Sequence, residues 1–462
     1  MNLTRLWNKF CGRPVDEPFD PRRNLLKPRL NRLKTFEVEP GLYHYLREVD
    51  GENTRFHLRV DSNGSGVLLA NATAAARLRP SGSIIAKALL DGEDDASIVD
   101  KLRGSFHGVS DRRAAEDIER VRSILINLEA PGDNYPILNL ADPRCAPDVA
   151  PLKKPLSADV LLADPDVIVP ILDRLWEEGI PHVTLIAPDG FERASLVRAI
   201  ERAEDLGMIA GVRLRGSDLA DEAFVAELSK TGVDHINLLF LSCNREIHDA
   251  IAGTGDQAAT RQAFEYVRTN EVCAVAEIGL IEPTLDTLEE TIEELHTIGL
   301  CNLAFFALAT EEPEREHAAL EPEQLLQTAQ MIEEFADTRG MRHLWYPPRQ
   351  RAEGVPLAAQ VRQGPRTSGD HAVRVENDGS VFVARGPWQA VGNILHDDWE
   401  TIAANETYEA YRKRVQTDTH CDECPGLAIC AADCPRTATG WAVPPPGAPS
   451  RSSSPANSEE QP

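Results

Sequence analysis

The stretch from Ser157 to about Tyr346 constrains the fold most, because short apolar runs alternate in it with segments of helical periodicity. Apolar runs separated by amphipathic helices are typical of parallel strands that are buried on both faces. About six such units predict an α/β fold built on a TIM-like β/α barrel, complete or partial. The predicted strands cover 158–162, 182–186, 209–214, 235–241, 273–280 and 302–307.

A β/α barrel carries its chemistry at the carboxyl ends of its strands. The candidate functional positions are therefore the residues that follow each apolar run. They are 163–164, 187–190, 215–217, 242–244, Glu282 and 310–311.

A cluster of cysteines near the end of the chain predicts a metal centre. Four of the nine cysteines fall within fourteen residues: Cys421, Cys424, Cys430 and Cys434. The two-residue gap between the first pair lets both thiolates face one point, and Pro425-Gly426 supplies a tight turn behind them. Four sulfur ligands favour zinc or an iron–sulfur cluster over calcium or magnesium. We expect no disulfides here, because the acidic chain looks intracellular.

Composition excludes several classes of partner. The net charge of −26 over 462 residues disfavours binding to nucleic acid and docking on anionic lipid. No apolar run is long enough for a transmembrane helix, and residues 1–12 have no apolar signal-peptide core. The expected location is the cytoplasm.

Residues 42–128 predict a small winged-helix-like α+β domain. Strand patterns around 56–60 and 67–69 flank an Asn63-Gly64 turn, and three helical segments follow. The first of these helices should stop at Asp91-Gly92, and Ser97 is the predicted cap of the second. The sequence of residues 83–92 and 97–99 resembles PqqD-like domains, which implies recognition of a precursor peptide. An ordinary small α+β domain is the alternative interpretation, because these motifs consist mostly of core residues. In that family the leader peptide adds a strand to the sheet edge beside the third helix.

The expected layout has six parts. They are a basic lead-in (1–40), the PqqD-like domain (41–130), a linker (131–154), the barrel (155–348), a cysteine domain (349–440) and a disordered Pro- and Ser-rich tail (441–462).

A barrel followed by a cysteine knuckle resembles the radical SAM/SPASM proteins, many of which modify ribosomal peptides. Residues 232–253 look like that family's fourth strand and turn, and 187–190 lie where it has a Gly-Gly-Glu-Pro loop. Residues 375–382 and 391–394 look like the SPASM lead-in, and the cysteines at 421–434 fit its terminal motif. The resemblance implies cofactor contacts at Asp189, Gly190 and Ser242.

The departures from the family are equally specific. The first barrel strand ends in Leu162-Ala163-Asp164 and leads straight into a helix, where the family needs Cys-x3-Cys-x2-Cys for the cluster that cleaves S-adenosylmethionine. The chain has no such triplet. The Gly-Gly-Glu-Pro loop has lost its first glycine and its glutamate, and the SPASM lead-in has lost its cysteines. At most one auxiliary 4Fe-4S cluster therefore remains, or zinc in its place, and S-adenosylmethionine binding is in doubt.

Four further acidic or basic residues have alternative interpretations. His248-Asp249 is a potential acid–base pair, but neighbours on a turn rarely face each other, which favours a surface role. Glu277 and Glu282 flank Gly279 on or after a strand. Either carboxylate would be notable if it pointed inward, although a solvated strand end is the commoner arrangement.

The sequence supports three hypotheses for function. The first is a degenerate relative of radical SAM/SPASM peptide maturases that binds a peptide or a partner maturation enzyme and carries one Cys-ligated centre. The second is an enzyme that uses the barrel for S-adenosylmethionine-dependent or non-radical chemistry, with Asp189 or Glu282 taking part. The third is a zinc-stabilised structural protein.

Overall fold

A computed structural model describes residues 36, 38–49, 52–71, 74–129, 152–309, 320, 322–347, 349–350, 354–369, 371–384 and 388–413. The cysteines at 421, 424, 430 and 434 lie outside these ranges, as do most of the predicted lead-in, linker and tail. No helix in the described parts of the chain is long and apolar enough to cross a membrane.

The first unit is a four-stranded antiparallel sheet in the order β1-β2-β3-β4, followed by three helices. One face of the sheet packs on the helices around Phe56, Leu58 and Leu68. The elements are β1 (Gly41–Val49), β2 (Glu52–Val60), β3 (Gly66–Ala70), β4 (Ala74–Leu78), α1 (Pro80–Leu90), α2 (Asp95–Ser105) and α3 (Asp111–Glu129).

Of the two helix boundaries predicted for this unit, one is confirmed and one is wrong. Helix α1 ends as expected, with Asp91 as its C-cap and Gly92 at a φ of +79°. The cap prediction for α2 is wrong, because Asp94 precedes the helix and its carboxylate accepts from the Ser97 backbone N–H at 2.8 Å. Asp94 forms the cap because only the residue at the N-cap position can reach the exposed N–H groups. Ser97 already lies inside the helix.

The second unit is an α/β layer with a large parallel sheet, which confirms the predicted fold class. Strands β5 to β11 lie side by side in chain order, all parallel. Right-handed crossovers in one direction put the connecting helices on one face, as in a β/α barrel. The strands are β5 (Ser157–Leu161), β6 (His182–Ile186), β7 (Ile209–Leu214), β8 (His235–Leu239), β9 (Cys273–Leu280), β10 (Asn302–Ala309) and β11 (Arg342–Trp345).

The helices of this unit alternate with the strands. They are α4 (Pro165–Glu177), α5 (Arg193–Leu206), α6 (Glu222–Thr231), α7 (Arg245–Ala252), α8 (Asp256–Thr269), α9 (Glu282–Leu285), α10 (Leu288–Thr297) and α11 (Pro322–Thr338). Helix α5 ends at Gly207, whose φ of +85° is a left-handed conformation that glycine adopts at little cost.

Residues beyond the predicted barrel extend the same sheet. Strand β13 pairs in parallel with β5, β14 and β15 continue from it in antiparallel fashion, and β12 pairs with β10. The sheet does not close on itself among the described strands, so it is a partial barrel. The remaining elements are β12 (Arg349–Gln350), α12 (Leu357–Arg362), β13 (Ala372–Val375), β14 (Ser380–Phe382), β15 (Gly392–Asn393), α13 (Trp399–Ala403) and α14 (Glu406–Lys413).

The two faces of the parallel sheet differ in polarity. The face toward the helices is apolar, as Ala158, Val212 and Ile236 illustrate. The opposite face, which we call the interior, alternates with it along each strand. From β10 it presents Phe306 and Leu308, but β5 to β9 and β13 also turn polar side chains inward: Ser157, Asp159, His182, Thr184, Arg213, His235, Asn237, Glu277 and Arg374.

The N-terminal sheet docks on the base of the barrel, where the parallel strands begin. His57 of β2 contacts the carbonyl of Gly207 at 2.7 Å. Arg59 donates to the carbonyls of Pro155 at 2.6 Å, Gly179 at 3.2 Å and Lys154 at 2.9 Å. Gly179 and Gly207 follow helix carboxyl ends, which leave backbone carbonyls without partners, and at Gly179 the helix dipole favours the Arg59 cation.

We predict that Arg59→Met weakens the docking of the two units. Arg59 is 4% exposed, and its removal leaves three carbonyls without their charged donor. The expected loss is about 2–4 kcal/mol of unfolding free energy, measured by chemical denaturation. Arg47→Met is the matched control, since the ion pair of Arg47 with Glu129 is 41% exposed on the arginine side and should matter by less than about 1 kcal/mol. Equal effects of the two variants would contradict this account.

Candidate functional site

The interior of the barrel contains a buried ion pair that joins two non-adjacent strands. Arg213 of β7 donates through Nε and Nη2 to Glu277 of β9, with N–O distances of 2.8–2.9 Å. The glutamate is 1% exposed and the arginine 7%. Glu277 therefore points inward, and the sequence-based preference for a solvated strand end is wrong at this position. The two charges compensate each other's desolvation only because the contact is bidentate.

A chain of hydrogen bonds runs from this ion pair to the base of the barrel. Asn237 donates through Nδ2 to Glu277 at 2.8 Å and to the Tyr346 hydroxyl at 3.2 Å. Its Oδ1 therefore accepts from Nδ1 of His235 at 2.8 Å. With that proton placed, Nε2 of His235 accepts from Nε2–H of His182 at 2.9 Å. Each N–H group has one acceptor, so the hydrogen bonds of this chain have a fixed direction.

Burial sets the protonation of this chain. It raises the pKa of Tyr346 well above its ordinary value, and the charge of Glu277 adds to the effect. Burial also lowers the pKa of His182 and of His235. Both imidazoles are therefore neutral near pH 7, as their shared hydrogen bond requires.

A segment after the last parallel strand closes the interior. Val361 of α12 is fully buried against Leu241 and Phe306. Further along, a Cβ built on Gly364 would lie 3.6 Å from Oε2 of Glu277, so the backbone there covers the ion pair directly. The apolar half of the interior is thus filled by the chain itself, and the polar half lies beneath it.

The predicted cofactor residues Asp189 and Gly190 lie at the carboxyl end of β6. Asp189 is 81% exposed and accepts from Nη1 of Arg215 at 3.1 Å. Gly190 has a φ of +75°, and a Cβ there would meet nothing within 4 Å. Both residues are open to a ligand at the mouth of the barrel, and their cofactor role stays a prediction.

Ser242 lies at the end of β8, on the same edge of the sheet, but its side chain is buried. Its hydroxyl contacts the Thr287 hydroxyl at 2.7 Å and accepts from the Asn244 N–H at 2.9 Å. This arrangement shapes the turn into α7. The predicted cofactor contact of Ser242 stays a prediction.

His248 does not pair with its neighbour Asp249. Its Nδ1 accepts from the Leu241 N–H at 3.1 Å, so Nε2 carries the proton and donates to Asp256 at 3.1 Å. Asp249 instead accepts from the N–H groups of Gly255 and Gln257. The two neighbours diverge as predicted, but the surface interpretation of His248 is wrong, since it is fully buried. The eight-residue spacing to Asp256 gives no sequence signal.

The start of α4 does not fit the cluster that cleaves S-adenosylmethionine. Three residues join β5 to α4, and Leu162, the first of them, is buried in the core. The third, Asp164, is the N-cap and accepts from the Asp166 N–H at 3.0 Å. No thiolate is present on this connection, so the residues here cannot hold a cysteine-ligated cluster.

The described cysteines also form no metal centre. Cys243, Cys273 and Cys301 are free thiols. Within the parts of the chain that the structure describes, no three His, Cys, Asp or Glu side chains come together as metal ligands. The predicted centre at 421–434 lies outside those parts and stays a prediction.

Sequence reasoning missed Arg213, Asn237, Tyr346 and Asp159. A signal was present for the first and the last, because a charged residue in the middle of an otherwise apolar run must either face a polar interior or find a partner. The pairing itself had no signal. Arg213 and Glu277 are 64 residues apart, and only the strand order brings them together.

Solved structures with the same overall fold include Streptococcus suis SuiB bound to S-adenosylmethionine, with a TM-score of 0.53 and 10% identity over 85% of this chain and 95% of SuiB. SuiB bound to the precursor peptide SuiA gives the same values. For anSMEcpe with bound AdoMet and the Cp18Cys peptide, the TM-score is 0.45 and the identity 16%, over 61% of this chain and 89% of anSMEcpe. No family model and no curated protein matches the sequence. The likeness to SuiB is one of fold.

We predict that Gly211→Ala destabilises the protein through a single clash. The Cβ of residue 211 on β7 would lie 1.9 Å from Cε1 of His235, so the hydrogen-bonded imidazole would be displaced. The expected cost is about 2–3 kcal/mol of unfolding free energy. In a His235→Ala background the same substitution should cost less than about 1 kcal/mol. Equal costs in the two backgrounds, measured by urea denaturation, would contradict the assigned packing.

Proposed function

We propose that this chain is a relative of radical SAM/SPASM peptide maturases that has lost radical initiation and functions by binding a peptide or a partner maturation enzyme. The observation that carries the proposal is the direct passage of β5 into α4 through Asp164, with no cysteine on it. A SuiB-like fold without that cluster would keep the scaffold and lose the chemistry. SuiB itself has been solved with a precursor peptide.

The N-terminal sheet is the proposed recognition module. Strand β4 pairs only with β3 among the described strands, and α3 packs beside it. Ala75 and Ala76 of β4 are buried, so an added peptide strand would have to displace the groups that cover this edge before pairing with it. An extended peptide added there would gain main-chain hydrogen bonds, as in β-augmentation.

The proposed cofactor is a single centre held by Cys421, Cys424, Cys430 and Cys434. Four thiolates fit a 4Fe-4S cluster or zinc. Its proposed role is structural or electron-carrying, since the chain has no other cysteine set of this kind. Should the barrel still bind S-adenosylmethionine, Asp189 and Gly190 are the exposed positions proposed to contact it, and Ser242 would contribute through its backbone.

The peptide proposal predicts protection of one edge of the sheet. Peptides selected from a displayed random library on the full-length protein serve as the probe, and amide hydrogen exchange reports where they bind. We expect slower exchange in β4 (Ala74–Leu78) and no change in β1 (Gly41–Val49), which is the internal control edge. Adjacent N–H groups of a strand point to opposite sides, so only one of residues 75 and 76 directs its N–H away from β3. Proline at that position, in Ala75→Pro or Ala76→Pro, should weaken peptide binding at least tenfold. Protection of β1 alone, or of neither edge, would refute the assignment.

The cysteine proposal predicts stoichiometric metal in protein purified without oxygen. We expect about four irons with broad visible absorption for a 4Fe-4S cluster, or about one zinc without colour. Cys424→Ser should lose the metal, and Cys243→Ser should retain it. A metal-free wild-type protein, or equal metal in both variants, would rule out the centre.

A further inference from the structure

Asp159 is a buried carboxylate at the centre of the barrel interior that lacks a hydrogen-bond partner. The residue is fully buried, and neither carboxylate oxygen has a partner among the described residues. Its neighbours in register are Thr184 on β6 and Arg374 on β13. Arg374 does not bond Asp159; its Nε donates to Glu376 at 2.8 Å. A charge in this position costs several kcal/mol unless something compensates it.

Arg213 has a matching unpartnered atom of opposite charge. Its Nε and Nη2 bond Glu277, whereas Nη1 has no partner and the side chain is 8% exposed. Asp159 and Arg213 are close enough that each alters the other's pKa. They do not reach each other, however, so two opposite buried charges face the same interior without forming a bond.

Two hydroxyl groups complete the set. Ser157 lies two residues before Asp159, on the same face of β5, and its Oγ has no partner. Burial raises the pKa of Asp159, and the neighbouring Ser368 hydroxyl opposes that rise, although the two side chains do not meet the geometry of a hydrogen bond. The hydroxyl groups of Ser157 and Ser368 therefore add two hydrogen-bond acceptors to the Asp159 carboxylate, and Arg213 supplies a cationic donor in the same interior.

We propose that this part of the barrel interior binds the α-amino-acid group of a small zwitterionic ligand. An ammonium has three N–H donors, which match the acceptors at Asp159, Ser157 and Ser368. The ligand carboxylate would accept from Nη1 of Arg213. A simple cation fits poorly because Arg213 and Arg374 repel it, and a simple anion fits poorly because Asp159 does. The net-neutral zwitterion satisfies both charges at once. Entry requires displacement of the segment that carries Gly364 and Ser368.

Thermal unfolding of the full-length protein tests the site with glycine and L-alanine as probes. We expect both to raise the Tm saturably, by a few degrees at about 100 times the Kd. Methylammonium and acetate, each with one of the two charges, should give no shift at equal concentration. This comparison uses only wild-type protein, so it stands even if a variant fails to fold.

Variants separate a ligand site from a structural role. Asp159→Asn should abolish the shift while leaving the Tm without ligand unchanged or higher, because an uncompensated buried charge is removed. Asp256→Asn is the matched control, a buried carboxylate on α8 that should keep the full shift. The proposal is overturned by the absence of a saturable shift with both amino acids, by equal shifts with methylammonium or acetate, or by a shift that survives Asp159→Asn. None of these outcomes depends on whether β4 binds peptides.

Discussion

The contact between Arg213 and Glu277 is the interaction on which the interior of this protein depends. A β/α barrel ordinarily fills its centre with branched apolar side chains. Here, strands β7 and β9 each turn a charge inward, and bidentate geometry makes that tolerable. Breaking such a buried pair typically costs about 3–5 kcal/mol. Asn237 and Tyr346 both donate to Glu277, and His235 bonds Asn237 in turn, so this ion pair orders the polar groups around it.

The two ends of the barrel are organised differently. At the base, Arg59 and His57 bond backbone carbonyls that follow helices, which fixes the N-terminal sheet through groups that helix ends leave unsatisfied. At the mouth, Val361 and Gly364 cover the interior. The β5–α4 connection is a short helix cap without cysteines. The proposed roles therefore lie in recognition and in the polar interior.

Much of the fold was accessible from sequence, because hydrophobic periodicity reports burial directly. The alternation of strands and helices, the parallel sheet and the helix end at Asp91 follow from local patterns. The polar interior did not follow, since periodicity cannot tell which strands face each other across a barrel. Ser97 was assigned as a cap because serine is a good one, but Asp94 held the position that reaches the free N–H groups. The buried role of His248 needed Asp256, which the turn brings close.

Cleavage of S-adenosylmethionine tests the central claim most directly. The full-length protein would be reconstituted with iron and sulfide, reduced without oxygen, and assayed for cleavage products beside the Cys424→Ser variant. The account predicts no cleavage above the level of the reagents alone in either protein, since no residues on the β5–α4 connection can hold the required cluster. Reductive cleavage of S-adenosylmethionine by the reconstituted wild-type protein, with no other protein added, would contradict the account and identify the protein as a radical enzyme.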